Sequence, residues 1–105
     1  MSNPYAKSSI LIVDDDRDIC LVLLRFLTKN NYSVNIAHTG DEGLKSIRSN
    51  EYDLILCDYK LPDISGIELL QKVRILNSSV AIIMVTGYSD VKTAVETFVM
   101  AQMIL

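Results

Sequence analysis

Three consecutive aspartates, Asp14, Asp15 and Asp16, follow directly on the apolar run Ile10-Leu11-Ile12-Val13, and Asp58 follows a second run, Leu54-Ile55-Leu56-Cys57. Thr86 closes a third run, Ala81 to Val85. Carboxylates brought together from such positions repel one another. At ~4 Å and an effective dielectric near 20, each charged pair costs roughly 4 kcal/mol. A hard divalent cation relieves that cost, and Mg²⁺ characteristically takes one or two carboxylates together with waters and phosphate oxygens. A carboxylate held beside such a cation can attack phosphorus and become an aspartyl phosphate. Asp58 is the candidate nucleophile, Asp14 and Asp15 are the candidate metal clamp, and Thr86 is placed to donate its hydroxyl to a phosphoryl oxygen. A plainer reading stands beside this one. Aspartates after strands are often turn residues or helix N-caps, because their side chains accept backbone amides. Asp16 is assigned that capping role, for a helix beginning near Arg17.

The elements that must position these residues are legible from periodicity. The short, continuous β-branched run Ile10–Val13 and the apolar run Leu54–Cys57 predict strands buried on both faces of a parallel sheet, and Ala81–Val85 predicts a fourth strand. Val34 and Ile36 alternate with polar neighbours and predict a weaker strand nearer the sheet edge. Ile19, Val22, Leu23, Phe26 and Leu27 recur at helical spacing, and Asn30-Asn31 ends that helix. Thr39-Gly-Asp-Glu42 has the form of a capping box opening a second helix, whose buried side is Leu44 and Ile47. After Pro62 and Gly66, a third helix buries Ile67, Leu70 and Val73; a fourth buries Val91, Ala94, Val95, Phe98 and Val99. The alternation βαβαβαβα specifies an α/β fold with helices on both faces of a parallel sheet. In such sheets ligands bind beyond the carboxyl ends of the strands, where the four aspartates and Thr86 lie.

Composition narrows the function classes. The 105 residues form one domain, half hydrophobic, with net charge −3 and no block of Lys or Arg. Direct binding of nucleic acid or of an anionic membrane needs a concentrated basic face, and none is present. No apolar run approaches the ~20 residues of a membrane helix. Met1 to Ser9 lacks the apolar core of a signal peptide, so a soluble, cytoplasmic chain is expected. Cys20 and Cys57 have neither metal-ligand nor disulfide-scaffold spacing and are read as buried hydrophobes. There is no P-loop or other phosphate-cradling glycine run.

Three segments, Ile10-Leu-Ile-Val-Asp-Asp-Asp16, Leu56-Cys-Asp-Tyr-Lys-Leu-Pro-Asp-Ile-Ser-Gly66 and Met84-Val-Thr-Gly87, occur in an order and spacing that resembles the receiver domains of two-component response regulators. The resemblance runs from about Ser8 to about Val99. It implies a three-layer, flavodoxin-like, doubly wound sheet with strand order 2-1-3-4 and a fifth strand missing or vestigial. It implies phosphorylation of Asp58 by a histidine kinase or histidine phosphotransfer protein. It implies Mg²⁺ held by Asp15, by Asp14 largely through water, by Asp58, and by the backbone carbonyl of Lys60. Thr86 becomes the switch hydroxyl, and Pro62 and Gly66 shape the loop after the phosphorylation site.

The chain also departs from the family pattern. It stops at Met103-Ile-Leu105, before the fifth strand and helix, so no residue matches the family's phosphate-pairing lysine or its aromatic switch. Lys60 and Lys92 are the nearby basic alternatives, with a solvated loop lysine the plainer reading of Lys60. His38 is read as a surface residue, and Met84, Met100 and Met103 as core filling. Two other functions stay open. One is a receiver-like interaction module with impaired phosphorylation. The other is a Mg²⁺-dependent phosphatase or phosphotransferase, disfavoured because Lys60 stands where a second Asp would serve as general acid. The fourth strand, without charges or prolines to blunt its edge, is expected to support a homodimer through itself or the fourth helix.

Overall fold

The structure, a computed structural model, describes residues 8–85. Thr86, Lys92, the expected fourth helix over 91–99, Met100 and the Met103-Ile-Leu105 end lie outside the described residues. The described chain runs β1 (Ser9–Val13), α1 (Arg17–Lys29), β2 (Ser33–Ala37), α2 (Gly40–Ser49), β3 (Leu54–Asp58), α3 (Gly66–Leu76) and β4 (Ala81–Val85). All four strands are parallel, in the order β2-β1-β3-β4, as the resemblance implied.

The pleat explains why β1 and β3 must be apolar throughout. Alternate residues point to opposite faces. Ile10, Ile12, Leu54 and Leu56 pack on one face with Cys20, Leu23 and Leu27 of α1. Leu11, Val13, Ile55 and Cys57 pack on the other with Leu44 of α2 and with Leu69 and Val73 of α3. Both strands lie in the middle of the described sheet, so neither face can be polar. Each such Leu or Ile contributes on the order of 1.5–3 kcal/mol through removal from water. β2, with one neighbour among the described strands, exposes Ser33 and Asn35 and half-buries Val34 and Ile36, the pattern its alternation predicted for a strand near the edge. β4 is buried only at Val85, its other four residues being half-buried or exposed.

The helices start where short polar side chains can satisfy their free amides. Asp16 caps α1, accepting from the N–H groups of Asp18 (3.0 Å) and Ile19 (3.1 Å). The helix closes at Asn30, and Asn31 adopts φ 69°, a left-handed conformation that Asn tolerates. Thr39 caps α2, accepting from Glu42 N–H at 3.1 Å. Glu42 reaches back as the capping-box pattern requires, but to the N–H of His38 at 2.7 Å, one residue before the cap. Ser65 caps α3 through Glu68 N–H at 3.1 Å.

Two helix faces differ from the predicted stripes. Val22 and Phe26 of α1 are 44% and 39% exposed, and the residues pressed on the sheet are Cys20, Leu23 and Leu27, with Ile19 partly buried. Ile19 to Leu24 and Phe26-Leu27 are all apolar or Cys, so periodicity alone offers more than one seam. On α3, Ile67 is exposed and Leu70 half-buried, while Leu69 and Val73, one turn apart, face the core. Among the described residues no helix is long and apolar enough to cross a membrane.

Candidate metal centre

β1 and β3 pair in register, Val13 opposite Cys57, so Asp14, just past the end of β1, stands beside Asp58, the last residue of β3. Asp14 is held firmly. Its N–H donates to Ala37 O at 3.0 Å, one step beyond the β1–β2 ladder. Its Oδ1 accepts from Asp16 N–H at 2.9 Å, and the residue is 5% exposed. Asp15 is exposed and Asp58 half-buried. Carboxylate oxygens from Asp14, Asp15 and Asp58 all lie within 4.8 Å of one another. Asp16 is not part of this group, its carboxylate being spent on the α1 cap.

No side-chain ion pair among the described residues compensates the charge in this cluster. Among the described residues the ion pair formed is Lys45–Asp41 at 3.1 Å, within the exposed face of α2. Burial, opposed by the Asp16 N–H and reinforced by the charges of Asp58, Asp15 and Asp16, pushes the Asp14 carboxyl up to about 6. The neighbouring thiols respond alike. Burial raises Cys57 to about 12, helped by Asp58 and Asp14, and raises Cys20 to about 11, so both remain protonated and unreactive at neutral pH. An all-oxygen donor set with excess negative charge suits a hard cation such as Mg²⁺ and would repel a phosphate dianion without one.

The loop after Asp58 is short and closed. Tyr59 N–H donates to Val85 O at 3.0 Å, Gly66 N–H donates to Tyr59 O at 2.9 Å, and Lys60 bridges to Ser65. Lys60 N–H lies 3.4 Å from Asp58 Oδ1, and its side chain is exposed. Pro62 is exposed in this loop, and Gly66 opens α3 beneath it. Thr86 lies outside the described residues.

Sequence reasoning missed two residues near this site. Asp63 accepts from the N–H groups of Gly40 (2.8 Å) and Asp41 (2.9 Å), so the loop after Asp58 caps the start of α2. Those amides hold its carboxyl below the ordinary carboxylate value. Nothing local signals a cap supplied from more than twenty residues away. His38, expected on the surface, is half-buried, with Nδ1 3.0 Å from the carbonyl oxygen of Asp14.

Residues 10–103 match the sequence profile of the response regulator receiver domain. The chain belongs to that family. As a receiver it is a two-component signalling domain, and its known relatives and folds agree. It is 38% identical over 90 residues to the transcriptional regulatory protein ZraR of Salmonella typhimurium, covering 86% of this chain and 20% of that protein. The receiver thus spans about a fifth of that relative's length. Its fold is similar to the crystal structure of a CheY-like receiver domain protein from Methanospirillum hungatei, with TM-score 0.75, 43% identity, and coverage of 85% and 71% of the two chains. It is also similar to the response regulator TrrA of Thermotoga maritima in complex with Mg²⁺-BeF, with TM-score 0.73, 33% identity and coverage of 88% and 80%. TrrA has in addition been solved in complex with the histidine kinase ThkA; that structure shares 36% identity at TM-score 0.72, covering 77% of this chain and 70% of that one.

Proposed function

We propose that this receiver accepts a phosphoryl group on Asp58 from the phosphohistidine of a histidine kinase or histidine phosphotransfer protein. The observation that carries the reading is the convergence of Asp14, Asp15 and Asp58 within 4.8 Å at adjacent strand ends. Asp14, Asp15, Asp58 and the backbone carbonyl of Lys60 are the groups that would hold Mg²⁺. When bound, the cation supplies neutralisation of charge on the equatorial oxygens of the transferring group.

The chain's own residues do the rest. Asp58, fixed at its backbone by the β3–β4 ladder, presents a carboxylate oxygen to phosphorus. The oxygen–phosphorus bond forms as the donor's nitrogen–phosphorus bond breaks, and the electron pair returns to the imidazole, which then takes up a proton. Thr86 is assigned the switch hydroxyl that donates to a phosphoryl oxygen. The TrrA complex with Mg²⁺-BeF and its complex with ThkA support the metal and the kinase partner respectively.

Intact mass after incubation with acetyl phosphate and Mg²⁺ tests the reading. One phosphoryl group is expected on the unaltered chain, and none after chelation or in Asp58→Asn. Labelling that survives Asp58→Asn at unchanged yield overturns it.

A further inference from the structure

The carbonyl of Asp14 receives two donors from different elements. His38 Nδ1 lies 3.0 Å away, at the junction of β2 and α2. Cys20 Sγ, on α1, lies 3.4 Å away. A carbonyl oxygen can only accept, so the proton of the imidazole must sit on Nδ1 whenever this contact is made. The Cys20 thiol is a weak donor, which leaves His38 as the strong one. The Asp14 N–H on the other side is already fixed to Ala37 O at 3.0 Å. The plane of the Asp14–Asp15 peptide is set by this carbonyl, and with it the direction in which Asp15 leaves the backbone.

The backbone of His38 and the residues after it are held as well. The His38 N–H donates to Glu42 Oε2 at 2.7 Å, and Thr39, the next residue, caps α2. The helix end behind it is anchored by Asp63, whose carboxylate accepts from Gly40 and Asp41 in the loop-to-helix cap described above. The start of α2 is therefore tied to the segments that follow both strands carrying the acidic cluster. It reaches the Asp14–Asp15 pair through the His38 ring and the segment after Asp58 through Asp63.

We propose that His38 is a positioning residue for the metal site: its Nδ1–H holds the Asp14–Asp15 peptide in the orientation that lets both carboxylates face Asp58. The inference rests on the reading of this cluster as a Mg²⁺ site. It concerns binding of the cation before any phosphoryl transfer, so it can be tested without a phosphodonor.

The test is Mg²⁺ affinity by titration calorimetry on the full chain, unphosphorylated, with thermal unfolding recorded for each variant. His38→Ala removes the donor, His38→Leu removes it while keeping bulk, and His38→Asn restores an N–H close to the position of Nδ1. Ile47→Ala, at a half-buried position of α2 packed on the core, reports what mere destabilisation does. Losing an outer-shell hydrogen bond should weaken Mg²⁺ by roughly tenfold in the Ala and Leu variants, with Asn within about threefold of the unaltered chain and Ile47→Ala unchanged. Should His38→Ala not fold, the Leu and Asn pair carries the same comparison. Equal affinity in the His38→Leu and unaltered chains overturns the proposal, as does an Asn variant no better than Leu. A loss in Ile47→Ala matching that in His38→Leu would reduce His38 to a structural residue. An unaltered chain that binds no Mg²⁺ instead overturns the proposed function, a different result from any of these.

Discussion

Asp14 and Asp15 are chemically identical neighbours with different environments, and the difference has a measurable consequence. Asp14 is 5% exposed and its carboxyl is raised from 3.8 to about 6, chiefly by burial. A folded-state value above the unfolded one means that the folded chain binds this proton more tightly. Its contribution to stability is fully present below pH 3.8 and is lost as pH rises through about 6. In chelator, the metal-free protein should therefore lose on the order of 2 kcal/mol from this group between about pH 4 and about pH 8. Asp14→Asn, which carries no titrating proton, should be more stable than the unaltered chain at the upper pH and gain nothing at the lower. Denaturant unfolding of both proteins at the two pH values checks this; parallel pH profiles would show that Asp14 does not titrate in this window. Excess Mg²⁺ should reverse the trend, since the cation competes with the proton for the same carboxylate.

At the scale of elements, the join between β3 and α3 is tightest at Gly66. A Cβ built there would stand 2.5 Å from the backbone oxygen of Asp58, 3.1 Å from Tyr59 Cα, and against the Met84 methyl. The methyl can swing aside, but the Asp58 carbonyl cannot move without moving the strand end that carries the carboxylate. Gly66→Ala is expected to cost about 2 kcal/mol as an overpacking substitution and to slow acetyl phosphate labelling of Asp58. Thermal unfolding and intact mass measure the two effects. An Ala variant with unaltered stability and labelling would mean that α3 shifts independently of β3. Gly66 stood out in the sequence as a turn residue, yet its role is close approach: its φ is not in the left-handed region. The three N-caps, Asp16, Thr39 and Ser65, act within three residues of their own helices. The additional cap from Asp63 crosses between elements and depends on the assembled sheet.

Across the whole molecule, the described sheet places β1 and β3 between β2 and β4. β4 pairs with β3 alone among the described residues, and its five side chains are all apolar. A strand without charge or proline is, wherever no neighbour pairs beyond it, a template for a further strand or a second chain. Association into a two-fold dimer through β4 or the segment that follows it is expected, and multi-angle light scattering across micromolar concentrations measures it. A cooperatively unfolding monomer over that range would overturn the dimer and mean that another part of the chain covers the edge.

The sequence by itself determined the strands that carry the site, the parallel alternation of strands and helices, and the acids at the strand ends. It could do so because these are local signals. A short apolar run bounded by polar and turn residues is the mark of a strand covered on both faces, and an aspartate at its carboxyl end stands at the rim where ligands bind. The family resemblance rested on the same short segments. Tertiary structure alone decided which stripe of α1 faces the core, since apolar residues surround most of that helix and only docking on β1 and β3 selects Cys20, Leu23 and Leu27. It also decided that Asp14 is buried while Asp15 is exposed, that His38 turns to the Asp14 carbonyl 24 positions away, and that Asp63 caps a helix 22 and 23 positions earlier. Each of these depends on a distance between segments far apart in the chain. Such distances are set only when the sheet register and the helix packing are in place.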